Sequence, residues 1–240
     1  MRAAAHAEWT KLRTTPGPAW LLLLTAVVTV ALGATVTSIA AGAGGDLDAR
    51  VVLSGVYLGQ APIAVLGVLA ISGEYSTALI RTTLAAIPSR PTVLAAKALV
   101  LAGAVAAIGS VAVLASLLLA PRLPQAGGPL LRASAGTVAY LVLIALLSLG
   151  VAAVVRDSGA AIGTVLGLLY LPPVLTQMVT NPAVHRRLEQ LAPMSAGLAI
   201  QATTDLRHLP IAPWPGLAVL ACWSAVALGA GTVLLHSRDT

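Results

Sequence analysis

Charge is scarce in this chain. Only 9% of its 240 residues are Asp, Glu, Lys or Arg, against about 25% in soluble domains. An ordinary soluble fold is excluded. Phenylalanine is absent and Leu, Val and Ala fill the apolar runs, a pattern that looks like GC-rich codon usage and carries no functional message. One cysteine, Cys222, rules out an internal disulfide or a cysteine metal cluster. It falls in an apolar run, where a small buried side chain is expected. Familiar catalytic signatures are missing too. There is no P-loop, no His/Glu pair at zinc spacing and no G-x-S-x-G elbow. No cofactor is expected. His6, His185, His208 and His236 all fall in expected loops or tails and read as solvated surface groups.

What is present is apolar sequence, 58% of the chain, in runs of the length that crosses a bilayer, about 20 residues. The expected fold is all-α and polytopic, a single transmembrane domain over 1–240. Its six transmembrane helices are expected near 19–41, 53–72, 92–120, 133–155, 159–180 and 214–235. Ala4 to Thr14 precede them as an interfacial helix in which Ala5, Trp9 and Leu12 share a face, with Trp9 at headgroup depth. The basic start and Ser38-Ile39-Ala40 invite a signal-peptide reading, but a signal's apolar core is about 7–15 residues. An uncleaved first span is favoured.

The spans carry their own punctuation. Gly55 and Gly59 stand at GxxxG spacing in the second, with Pro62 as a kink. Lys97, near the start of the third, is expected to snorkel to the headgroups. Arg156-Asp157-Ser158 makes spans four and five antiparallel neighbours. Gly159, Gly163 and Gly167 form a ridge that admits a close helix, as a seam within the bundle or between two copies. Leu171-Pro172-Pro173 then breaks or kinks span five. Asn181 to Pro213 is the longest polar region. Asn181-Pro182 caps a helix whose apolar stripe is Val184, Leu188 and Leu191, and a second weak helix is expected over Ala196 to Leu206.

With six spans both termini share a side. The segments on that side hold eight Lys or Arg and the opposite side six, so the positive-inside rule favours cytoplasmic termini in a plasma membrane. The basic residues are spread over loops rather than gathered in a stripe, which argues against nucleic-acid binding.

One polar stretch stands out, Gly73 to Pro91, GEYSTALIRTTLAAIPSRP. Ile80, Leu84 and Ile87 recur at i, i+4, i+7 and give a short cytoplasmic helix one apolar face. Glu74 is expected in its first turn, where a carboxylate suits the free N–H groups. Pro88 and Pro91 are expected to stop it. Such a helix either rests on the membrane alone or offers its polar face to a soluble partner. The middles of the spans hold no Asp, Glu, Lys, Arg or His, and ion-coupled carriers typically need such groups. Gln60 and Gln177 are the strongest polar groups at depth. They line a substrate path or bond across helices, and the packing reading is favoured.

Three features together carry a family resemblance. Glu8-Trp9-Thr10-Lys11-Leu12-Arg13-Thr14, the run from Gly73 to Leu84 followed by Pro88, Arg90 and Lys97, and the six-span layout with a long segment before the last span are similar to the integral-membrane permease subunits of type-2 ATP-binding-cassette (ABC) exporters, in particular actinobacterial ones. Ala78 stands where many relatives have glycine. The resemblance implies that the loop is the coupling element docking on a separate ATP-binding ABC subunit, with Glu74, Tyr75, Arg81, Thr82 and Thr83 as contacts. It also implies a second permease copy, identical or different, and ATP hydrolysis outside this chain. A hydrophobic or amphipathic substrate, drug-like or lipid-like, suits the apolar walls. The rival readings are a non-transporting membrane scaffold or sensor and, disfavoured by the uncharged span interiors, a secondary transporter or channel.

Overall fold

Helix starts in this chain are written in proline and in short capping side chains. Pro16, Pro129, Pro182 and Pro193 each sit in a helix's first two positions, where the missing N–H costs nothing. Asp48, Asp157 and Asn181 accept from the first free N–H groups of the helices they precede, at 2.6, 2.7 and 3.0 Å. In the computed structural model, which describes residues 2–44, 47–76, 90–120 and 127–237, these signals delimit a wholly helical chain with no strand among the described residues. The helices are α1 (Arg2–Thr14), α2 (Pro16–Gly42), α3 (Ala49–Val52), α4 (Val56–Ser76), α5 (Arg90–Leu119), α6 (Gly128–Val155), α7 (Ser158–Met178), α8 (Pro182–Leu191), α9 (Pro193–Leu198) and α10 (Pro213–Ser237). Six of them, α2, α4, α5, α6, α7 and α10, are long and apolar enough to span a membrane. The fold is that of an all-α polytopic membrane protein.

Burial sorts the six. In their most apolar windows 61% of α4 and 56% of α6 is buried, against 17% of α2, 22% of α7 and 17% of α10. The first two therefore form the axis of the bundle and the others its wall. Ile63, Leu66 and Val68 of α4 meet Leu141, Ile144 and Leu149 of α6 in one apolar core. Small residues set how closely the helices approach. A Cβ on Gly55 would lie 2.7 Å from the Thr29 carbonyl carbon and 2.8 Å from Gly33 N, so α4 and α2 touch backbone to backbone there. Gly67 and Gly150 do the same for α4–α6 and α6–α10, at 2.6 Å from Ala145 O and 2.6 Å from Ala227 C.

Several expectations need correction. The fifth-to-sixth segment is not simply a polar loop, because α9 and the 3₁₀ turn Ala199–Gln201 are buried almost throughout. This segment folds back into one end of the bundle, where Gly197 lies against the Tyr140 ring and Gly216 against the Ala196 carbonyl. Pro172 and Pro173 do not break α7, which continues through them to Met178. Pro91 is the second residue of α5 and opens it, while Pro88, the other expected stop, lies outside the described residues. Cys222 is exposed on the outer face of α10 instead of buried.

The two ends of the bundle are stitched differently. At the end carrying α1, the α6–α7 turn is only two residues long because Arg156 adopts a left-handed conformation (φ 63°), and its guanidinium donates to Leu234 O at 3.3 Å. At the opposite end Asp48 accepts from the hydroxyls of Thr203 and of Thr204 (3.1 Å), and Arg132 donates to Ala202 O. That clasp ties the returning segment to α3 and α6.

Candidate functional site

The returning segment roofs a cavity of about 360 Å³ at the clasped end, between α4, α7, α8 and α9. Arg50, Gln177, His185 and Glu189 supply polar groups to it; Tyr57, Met194, Leu198 and Ile211 supply apolar surface. The imidazole of His185 bridges two helices, with Nδ1 2.9 Å from Thr176 O of α7 and Nε2 3.4 Å from Glu189 Oε1 of α8. His185 is thus part of a wall, not a free surface group. Nothing in the lining pairs a nucleophile with a base. The mixture can bind an amphipathic molecule, apolar body against Leu198 and Ile211 and polar groups toward Gln177 and Glu189.

Gln60 lies behind this wall, fully buried. Its Nε2 donates to Tyr57 O at 3.0 Å and approaches Met194 Sδ at 3.2 Å, and the Tyr140 hydroxyl donates to its Oε1. Tyr170 donates its hydroxyl to the same Tyr57 carbonyl at 2.7 Å. Three of the chain's four tyrosines therefore converge on one amide, which joins α4, α6, α7 and α9. The network satisfies the buried polar groups of Gln60 and Tyr140. Of the two candidate path residues, Gln177 lines the cavity and Gln60 holds helices together, as the packing reading expects.

At the other end the N-terminal helix carries an unforeseen contact. Lys97 is buried within α5, and its Nζ lies 2.7 Å from Glu8 Oε2 of α1; Lys11 reaches the other oxygen at 2.9 Å. The expected snorkelling lysine is instead an inward charge met by a carboxylate 89 residues away in sequence. Helix α1 is thereby fixed to the first turns of α5, which directly follow the expected coupling segment.

Of the coupling candidates, Glu74 and Tyr75 fall in the last turn of α4, not in the first turn of a separate helix. Arg81, Thr82 and Thr83 lie outside the described residues, with the rest of 77–89. The glycine pairs part company. Gly55 and Gly59 pack against Thr29 of α2, whereas a Cβ on Gly163 would meet nothing within 4 Å, on Gly159 only Asp157 Oδ1 at 3.5 Å and on Gly167 only Leu171 of its own helix at 3.6 Å. Among the described residues, no other helix packs on the second ridge. Neither a scan against protein-family models nor a search of the curated proteins finds a match for the chain.

Proposed function

We propose that the chain is the transmembrane permease subunit of an ABC exporter of the type-2 kind, moving a hydrophobic or amphipathic substrate across the plasma membrane with force from a separate ATP-binding subunit. The observation that carries this reading is the lack of any Asp, Glu, Lys, Arg or His in the middles of the spans. Such a bundle lacks the acidic, basic and imidazole groups that usually couple transport to a proton or ion gradient. The charge nearest that zone, Lys97, is met by Glu8 rather than left to face a cavity, which supports the same conclusion. Gly73 to Pro91 would receive the ATPase, with Glu74, Tyr75, Arg81, Thr82 and Thr83 as its contacts and both termini cytoplasmic. Movement of that segment would reach α5 directly and α1 through the Glu8–Lys97 pair.

The cavity beneath the returning segment then serves as a release vestibule on the far side, with Gln177 in its wall. A second permease copy fits the open Gly159–Gly163–Gly167 ridge, which no helix among the described residues occupies. Inverted membrane vesicles carrying the chain should accumulate an amphipathic dye only with hydrolysable ATP, whether or not a proton gradient is present. Accumulation driven by a proton or sodium gradient without ATP would overturn the reading. No accumulation under any condition, with no ATPase bound, would favour the scaffold alternative.

A further inference from the structure

We propose that the outer face of α8 and α10 holds one anionic phospholipid, with an acyl chain along α10 and its phosphate at Arg186 and Arg187; the proposal is independent of whether the chain transports anything.

Two cavities are lined by residues of α8. The first is an apolar groove of about 610 Å³ lined by Leu191 and by Pro215, Ala218, Val219, Cys222, Trp223 and Val226 of α10. The second, about 360 Å³, is lined by Pro182, Ala183, Arg186, Arg187 and Gln190. Gln190 of the second and Leu191 of the first are consecutive on α8. The junction is held, since Trp223 Nε1 donates to Leu191 O at 3.0 Å and Gln190 Nε2 to Pro210 O at 2.7 Å.

The dimensions fit a single leaflet. Pro215 and Val226 are 11 residues apart, a rise of about 16 Å in a helix and close to half of a hydrocarbon core roughly 30 Å thick. Trp214 is 62% exposed at the top of α10, as suits a side chain at headgroup level. Arg187 stands one helical turn before Leu191 on α8, and Gln190, next to Leu191, reaches Pro210 just ahead of α10.

The charge distribution selects the headgroup. Arg186 and Arg187 are exposed and make no ion pair or hydrogen bond among the described residues. The one acid of α8, Glu189, points the other way, into the vestibule beside His185. The groove thus ends in two positive charges with no local anion, a match for a phosphate and poor for a zwitterion whose cationic end would be repelled. A second copy of the chain suits the groove less well. Docked about a two-fold axis it would bring its own two arginines to the same end, like against like.

Trp223 reports occupancy directly. The full chain carrying Trp9→Phe, Trp20→Phe and Trp214→Phe would be placed in phosphatidylcholine vesicles containing a minor fraction of brominated phosphatidylglycerol or of brominated phosphatidylcholine, and quenching of Trp223 fluorescence compared. Each basic group beside an anionic headgroup raises occupancy about fivefold, so the pair should give phosphatidylglycerol a preference of roughly twenty-five-fold. Arg186→Gln with Arg187→Gln should erase the preference while quenching by brominated phosphatidylcholine persists, which shows the groove intact. The double lysine variant should keep most of the preference. Added inorganic phosphate should not disturb it, and loss of the preference on that addition would mean a site for soluble phosphate. Equal quenching by the two lipids, a preference that survives the glutamine variants, or no quenching by either lipid would each overturn the proposal, the last because protein rather than lipid would then fill the groove.

Discussion

Substituting alanine at Gly55 and at Gly163 should give opposite results, although the two glycines sit in identical small-xxx-small patterns. At Gly55 the new methyl carbon would stand 2.7 Å from the carbonyl carbon of Thr29 and 2.8 Å from Gly33 N, and closer still to Thr29 O. Carbon atoms pack at about 3.5–4.0 Å, so roughly 1 Å is missing on each of three backbone atoms. No rotamer change relieves a clash with backbone, and α2 and α4 must separate along their whole contact. Overpacking of this kind costs about 1–3 kcal/mol and sometimes more. The removal of a helix glycine returns roughly 0.5–1 kcal/mol, which leaves a net loss of roughly 1 kcal/mol or somewhat more. At about 2–4 °C per kcal/mol for a chain of this size, the apparent Tm should fall by roughly 2–5 °C. At Gly163 nothing lies within 4 Å, so only the helix-propensity gain remains and Tm should hold or rise slightly. The assay is a heating series on the detergent-purified full chain, scored by the monodisperse fraction on size exclusion. Equal behaviour of the two variants would refute the packing argument.

Two other perturbations follow from named contacts. Glu8→Gln removes a carboxylate 2.7 Å from the buried Lys97 ammonium; breaking a buried pair in that way costs up to about 3 kcal/mol. The same thermal assay should show the loss, and the exchange Glu8→Lys with Lys97→Glu should recover part of it. Failure of both would mean that α1 is not held by this pair. Gln60→Leu deprives the buried Tyr140 hydroxyl of its acceptor and should cost roughly 1–3 kcal/mol, whereas the double variant with Tyr140→Phe should be milder than Gln60→Leu alone. A strictly additive double variant would contradict the hub described for Gln60.

How much of this could be seen in the linear chain depends on whether the signal is local. The six long helices were legible because run length and proline position act within one segment; the run expected over 19–41 is a helix over Pro16–Gly42, extended by the prolines that start it. The interfacial helix was legible for the same reason. Partnership was not. Lys97 reads as a snorkelling residue until a carboxylate 89 positions away is brought against it. The two glycine ridges have the same spacing, and only the assembled bundle separates the one that receives α2 from the one that stays open. The buried segment from Ala192 to Ala202 left a faint local trace, since it carries no charged residue amid a polar region. Its burial depends on Gly197 and Gly216 admitting Tyr140 and Ala196, which no local window contains. Gln177 could be picked out as a polar group at depth, whereas His185 and Glu189 reach the same cavity from another helix and gave no such cue.

The central claim is that the bundle is driven from outside, through the segment between α4 and α5. The most direct test is ATP hydrolysis that co-purifies with the full chain from its own membrane, compared with the variant Glu74→Arg, Arg81→Glu. Hydrolysis should accompany the native chain and drop by about tenfold in the variant, the loss of roughly 1.4 kcal/mol of association, with the thermal profile unchanged. An equal yield of ATP hydrolysis from both proteins would contradict the account.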